Sequence, residues 1–120
     1  MKSRFLICFV VLVSAATPAN AGDASLGKEL FMRRCTGCHD TDKNKEGPHL
    51  RGVYGRVAGK AGGFSYSDGL KSAAFVWDEK SLNRWLTDPD SVVKDNDMAF
   101  RVTNSVEREH VIAYLKSLTN

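Results

Sequence analysis

Cys35, Cys38 and His39 stand together in the run Cys35-Thr36-Gly37-Cys38-His39, two thiols separated by two residues with an imidazole directly after the second. At a helix end this spacing puts both thiols on one face. Each can there add to one vinyl group of a haem while the adjacent imidazole swings beneath the iron. Two other chemistries use thiols at this spacing. A thioredoxin-like redox pair belongs in a βαβ setting, which this sequence lacks, and half of a zinc site needs a matching pair of ligands elsewhere, which is also missing. Covalent haem attachment is the reading with which export, chain size and loop content agree.

His39 is one of three histidines, and its position selects it as proximal ligand. His110 sits mid-helix beside Glu107 and Glu109, on what reads as a solvated face. His49, in Gly47-Pro48-His49-Leu50, reads as a loop residue near the haem edge, with competition for iron as its alternative. The carbonyl of Pro48 is placed to accept the Nδ1 proton of His39 and so fix its tautomer. A sixth ligand follows by elimination among the three methionines. Met1 falls in a targeting segment, and Met32 stands too close before Cys35 to reach the opposite haem face, so Met98 remains. Its alternative is a core role, but it follows the polar run Lys94-Asp95-Asn96-Asp97 rather than lying on an apolar stripe. Methionine opposite histidine raises the potential of haem iron, and two strong axial ligands leave no position for substrate. That combination points to outer-sphere electron transfer and away from an enzyme.

The elements that must carry these groups come from 120 residues. Residues 1–21 read as a cleaved signal peptide: Lys2 and Arg4, then the apolar run Phe5 to Val13, then Ala19-Asn20-Ala21 before Gly22. The run is too short to span a membrane, which takes ~20 apolar residues. Cys8 leaves with it. Residues 22–120 then make one domain with one small core. The full chain has 17 basic and 14 acidic residues. Loss of Lys2 and Arg4 brings the remainder close to balance, and no basic block suggests nucleic acid or an anionic membrane as partner.

A first helix is predicted from Ala24 to Arg34, capped by Asp23, with Leu26, Leu30 and Phe31 on one side. Gly27 inside it, at ~1 kcal/mol against alanine, marks a close approach by another helix. From Asp40 to Gly69 eight residues, from Gly47-Pro48 to Gly69, break every period. A loop that long in so small a domain implies a partner it wraps, and its Leu50, Val53, Tyr54, Phe64 and Tyr66 argue against disorder. The missing core partner is the haem. A helical turn is expected at Leu70 to Phe75. A helix then follows from a cap at Asp78, with Leu82, Trp85 and Leu86, stopped by Pro89. The last helix is capped by Asn104 with Glu107 as reciprocal partner, and carries Val111, Leu115 and Leu118.

In order and spacing these residues resemble the class I cytochromes c, of the short bacterial and mitochondrial type. The likeness runs through Gly27 and Phe31, Cys35 to His39, Gly47-Pro48 with Leu50, Gly55-Arg56, Gly63-Phe64 with Tyr66, Trp77, Pro89, Met98 with Phe100, and Tyr114-Leu115. It implies an all-α class I cytochrome c fold, three main helices plus long loops around one covalently bound haem c. The first and last helices cross, with Gly27 letting the ring of Tyr114 approach. It also implies that Arg56, Tyr66 and Trp77 hydrogen-bond the haem propionates or nearby water, as buried carboxylates need donors.

The chain departs from that pattern at four places. Trp85 stands where the family usually has a tyrosine, so one hydroxyl donor near the methionine sulfur is expected to be lost. Lys94-Asp95-Asn96-Asp97 replaces a Pro-Gly-Thr-Lys lead, and Leu70 an asparagine. Asp90 and Asp97 thin the ring of lysines at the haem edge, leaving Arg33, Arg34, Lys43, Lys45 and Lys94 as a partial basic rim or an ordinary solvated surface.

The expected function is a soluble, monomeric periplasmic carrier. It would take one electron from a membrane cytochrome bc complex or a periplasmic dehydrogenase and pass it to a terminal oxidase or photosynthetic reaction centre. The alternative is a haem-based sensor or weak peroxidase in which Met98 leaves the iron, motivated by the glycine-free acidic lead into it. A third reading, a thiol–disulfide protein, keeps Cys35 and Cys38 free.

Overall fold

The computed structural model describes Met1, Val11, Leu12 and residues 22–119; the remainder of the expected signal peptide lies outside the described residues. Its helices are α1 (Ala24–Arg34), α2 (Asp68–Lys71), α3 (Glu79–Thr87), α4 (Pro89–Val92) and α5 (Ser105–Ser117). Among the described residues the one extended pairing is an isolated bridge between Val57 and Val76. The fold is all-α, as expected.

α1 begins where Asp23 accepts the N–H groups of Ser25 and Leu26 at 2.8 and 3.1 Å, which satisfies donors that an uncapped first turn leaves exposed. It packs against α5 across Gly27, where an added Cβ would collide with the carbonyl of His110 and lie 2.9 Å from the Cβ of Tyr114. The ring of Tyr114 stacks at a tilt on Phe31, centroids 5.3 Å apart. His110 is not on a solvated face. It is half-buried, and its Nδ1 accepts the N–H of Asp23 at 2.8 Å, so α5 also ties down the start of α1.

α5 is capped by Asn104, which accepts from Val106 and Glu107, but Glu107 does not reciprocate. Its carboxylate is taken instead by Arg34 at the end of α1, 2.5 Å away. The reciprocal capping box lies at α3, where Asp78 accepts from the Ser81 N–H and the Ser81 hydroxyl accepts from the Asp78 N–H, both at 2.8 Å. Pro89 ends α3 and also opens α4 as its first residue, a position where its missing N–H costs nothing. The turn expected at Leu70 starts earlier, at Asp68, because Ser67 supplies the cap.

Between α1 and α2 the chain is held by scattered backbone bonds. Gly55 and Trp77, Trp77 and Arg56, and Ala58 and Phe75 are joined at 2.7 to 2.9 Å, and Gly52 donates to the Leu118 carbonyl at the end of α5. These bonds fix Trp77 between Phe75 and Trp85, both edge-on at 4.8 and 5.2 Å. Trp77, Leu82, Trp85 and Leu86 continue the core begun by Leu30, Phe31, Val111 and Leu115, and all are buried.

Candidate functional site

The core does not close on itself. A cavity of about 470 Å³ opens between the α1 end, the loop after it, α3 and the segment before α5. Every site residue expected from the sequence lines it. Cys35, Cys38, His39 and Pro48 form one wall, Arg56, Tyr66 and Trp77 meet there from the loop, and Met98 stands on the segment before α5. His49 is not among the lining residues. Its backbone N–H and its Nδ1 turn to the Asn44 side-chain oxygen, each at 2.9 Å, so the competing ligand suggested by its position is turned away.

The thiols sit at the C-terminal end of α1, where Cys35 is half-buried and Cys38 exposed. Burial pushes the Cys35 thiol up to about 11, against the lowering effect of Arg34 and with a further rise from Cys38. A thiol–disulfide catalyst needs a thiolate near neutral pH, so this environment disfavours the free-thiol reading.

His39 follows on a turn in which its N–H donates to the Cys35 carbonyl at 2.8 Å. Its Nδ1 lies 2.9 Å from the carbonyl of Pro48. A carbonyl can only accept, so Nδ1 carries the proton and Nε2 keeps the lone pair a metal needs. Burial lowers the pKa of the ring, opposed by the Pro48 bond and assisted by Lys45, and thereby favours the neutral, ligating form. Gly47 lies flat against the ring. A Cβ there would collide with Cε1 and stand 2.7 Å from Nδ1, so only glycine lets the loop approach.

On the other wall Met98 is half-buried, with the indole N–H of Trp85 donating to its Sδ at 3.0 Å. The donor expected to be lost with the family's tyrosine is therefore present in another form, because the longer indole reaches the sulfur from the same helix face. Sulfur keeps a further lone pair for a metal.

Arg56 has a donor left to spend. Its Nη groups reach the carbonyls of Arg51 at 3.4 Å and His49 at 3.0 Å, while its buried Nε has no hydrogen-bond partner among the described residues. A buried, unpartnered guanidinium donor costs roughly 1–3 kcal/mol or more unless an acceptor arrives. Nearby, the Tyr66 hydroxyl accepts the Ala61 N–H at 3.0 Å, which leaves its own proton to give. Two thiols at the mouth, a neutral imidazole on one wall, a thioether on the other and unspent donors beside them fit a covalently attached haem with its carboxylates toward Arg56.

Sequence reasoning missed Asp95 and Asn96 as structural parts, having read them only as a polar lead. Their tendency to bond nearby backbone was the available signal.

The cytochrome c family model matches residues 24–119. Cytochrome c of Euglena viridis is 44% identical over 81% of this chain and 98% of its own. Cytochrome c2 iso-2 of Magnetospirillum fulvum is 45% identical over 70% of this chain and 91% of its own. Among solved structures, cytochrome cH from Methylobacterium extorquens superposes with a TM-score of 0.76 at 40% identity, covering 80% of this chain and 99% of that one.

Proposed function

This chain belongs to the cytochrome c family and is an electron carrier with one covalently bound haem c, and from that premise we propose that it is a soluble, monomeric periplasmic shuttle whose iron is held by His39 and Met98. The haem supplies a reversible one-electron change at iron. The chain does the rest. Cys35 and Cys38 fix the group by two thioethers, and His39, its Nδ1 proton held by Pro48, presents Nε2. Met98 presents its thioether with one sulfur lone pair occupied by Trp85. Arg56, Tyr66 and Trp77 would give hydrogen bonds to the carboxylates, and the apolar wall of Val53, Leu70 and Leu82 would keep water from the rest.

The observation that carries this reading is that imidazole and thioether line one cavity with both thiols. Two strong ligands leave electron transfer through the exposed edge as the available reaction. Among the described residues no helix is long and apolar enough to cross a membrane. Export rests on the signal-like residues 1–21. Donors of the cytochrome bc or dehydrogenase kind, and acceptors of the oxidase or reaction-centre kind, suit a one-electron carrier of this size. Because the charge is nearly balanced without residues 1–21, association with such partners is expected to slow only gently as salt rises.

The test is the optical spectrum of the purified holoprotein in both oxidation states. His/Met ligation gives the weak far-red sulfur-to-iron band in the ferric form, and covalent attachment keeps haem on the chain in a denaturing gel. A ferric protein without that band is not ligated by Met98. Prompt carbon monoxide binding by the ferrous protein near neutral pH would favour the sensor reading instead.

A further inference from the structure

Residues 94–101 donate and accept no backbone–backbone hydrogen bond outside helices among the described residues; the nearest are Val93 to Pro89 and Val102 to Leu86. The segment carrying Met98 is fixed by side chains. The Asp95 carboxylate accepts the N–H of Gly69 at 2.7 Å, and the Asp95 carbonyl accepts the hydroxyl of Ser67, also at 2.7 Å. Asn96 does three things at once. Its amide N–H₂ donates to the Val93 carbonyl at 2.6 Å and to Asp90 at 2.9 Å, while its Oδ1 accepts the N–H of Met98 at 2.9 Å. Gly69 is pressed so close that an added Cβ would lie 2.5 Å from the Asp95 carbonyl oxygen and 2.9 Å from Val93 Cγ1.

Asp97, Met98 and Ala99 are also the partition between the large cavity and a second hollow of about 310 Å³ on their other side, bounded by Pro89, Asp90 and Arg101. What holds the partition therefore decides whether a small molecule can reach the iron.

We propose that Asp95 and Asn96 are positioning residues that clamp the Met98 segment to the Ser67–Gly69 turn and to α4, and thereby hold the sixth ligand on and the iron closed to exogenous ligands. The inference rests on Met98 being that ligand. It reverses the sense in which the acidic lead was first read: the residues replacing a proline–glycine turn do not loosen the segment but anchor it ahead of Met98, where Trp85 at the sulfur and Arg101 on Asp88 and Asp90 hold it further on. The two anchors act differently. Asp95 ties the segment sideways to the start of α2, and Asn96 orients the Met98 backbone itself.

The test compares holoprotein variants Asn96→Ala, Asn96→Asp, Asp95→Ala, Asp95→Asn and Gly69→Ala for the ferric sulfur-to-iron band and for the affinity of the ferrous form for carbon monoxide. One lost hydrogen bond of about 1 kcal/mol is worth roughly fivefold in the population with Met98 released, and three together on the order of a hundredfold. Asn96→Ala is therefore expected to raise apparent carbon monoxide affinity most, and Asp95→Ala by about fivefold to tenfold. Asp95→Asn, which keeps an acceptor for Gly69, should rescue most of that loss. Asn96→Asp keeps the acceptor for Met98 but sets a carboxylate against Asp90, so it should behave more like alanine than like wild type. Gly69→Ala leaves every clamp side chain in place yet pushes the segment away, and should also weaken the band.

Thermal melts separate this from general loosening. The band and the gas affinity must change at temperatures where the variant is fully folded. A wild-type protein without the sulfur-to-iron band overturns the ligand assignment itself. A wild type with the band, and folded variants whose band and carbon monoxide affinity match it, overturns the clamp alone. Should Asn96→Ala fail to fold, Asp95→Ala and Gly69→Ala decide the matter by the same two readouts.

Discussion

The two walls of the haem cavity are built by opposite means. The His39 wall is held by main chain: His39 to Cys35, Gly47 to Cys38, Leu50 to Asp40 and Arg51 to Thr41 are all backbone bonds of 2.8 to 3.1 Å. Even the imidazole is fixed by a carbonyl, that of Pro48. The Met98 wall is held by the side chains of Asp95, Asn96 and Trp85. Backbone bonds survive almost any substitution, whereas side-chain bonds are lost to a single one. The histidine side is thus a fixed frame, and on the proposed ligation the methionine side is the place where point changes would adjust potential and ligand access.

The largest expected effect removes what both walls enclose. Cys35→Ala together with Cys38→Ala abolishes covalent attachment, and the cavity must then collapse or stand open. A mostly apolar space of about 470 Å³ without its occupant leaves core side chains facing water, and a small domain has only about 5–15 kcal/mol of stability to lose. The double variant is expected to lose both the haem-stained band on a denaturing gel and a cooperative thermal transition. A cooperative melt without haem would show that the frame does not need its cofactor.

Next comes Gly47→Ala, which strikes the fixed wall where it cannot yield. The added methyl must displace either the His39 ring or the loop. A destabilisation of about 1–3 kcal/mol is expected, as in other overpacked sites, with a displaced proximal ligand visible in the Soret region. If Gly47→Ala left the Soret band and the melt unchanged, the rigidity of the histidine side would fail.

Trp85→Phe addresses the adjustable wall with a smaller expected effect. Phenylalanine keeps most of the aromatic packing on Trp77 and removes the N–H from Met98 Sδ. Loss of that bond should cost about 1 kcal/mol. It should also shift the sulfur-to-iron band and the reduction potential while the melting curve stays cooperative. An unchanged potential would mean that the indole only packs.

What the sequence made legible follows the same division. The Cys35–His39 wall was readable because its chemistry is written in consecutive residues and its supports are peptide groups, which any sequence supplies. α1, its Asp23 cap, the Asp78 cap and Asn104 were readable for a related reason: a cap acts within three residues of itself. The Met98 wall was readable only in part. Elimination and family spacing reached Met98, but Asp95 acts on Gly69 and Trp85 acts on Met98, and bonds between distant residues leave no local pattern. Glu107 illustrates the failure most simply. Its local role as reciprocal cap was the expectation, and it gave way to a partner 73 residues distant, Arg34. His110 likewise looked solvated from its neighbours Glu107 and Glu109, yet its acceptor was the N–H of Asp23 on another helix.

The smallest effect concerns a side-chain ion pair on the fixed wall. Asp42 accepts from Arg51 through both oxygens, at 2.6 and 3.2 Å, and from the Thr41 hydroxyl at 2.8 Å, joining the start of the loop to the turn at Arg51. The Arg51 and Thr41 bonds hold its carboxyl down at about 2, from an ordinary 3.8. A carboxyl depressed by folding stabilises the fold above its unfolded pKa, and that contribution is lost as pH falls through the folded value. The window is therefore about pH 4 down to about pH 2. Both partners are well exposed, so solvent and salt screen the pair and the gain is small. Wild type should melt slightly above Asp42→Asn at pH 6, and the gap should have mostly closed at pH 2, where the wild-type carboxyl is itself half protonated. Other acid-sensitive groups, the capping Asp78 among them, act equally in both proteins and cancel in the difference. A gap that persists unchanged at pH 2 would assign the stability to the shape of the turn rather than to its charge. The histidine wall would then be held by backbone even here.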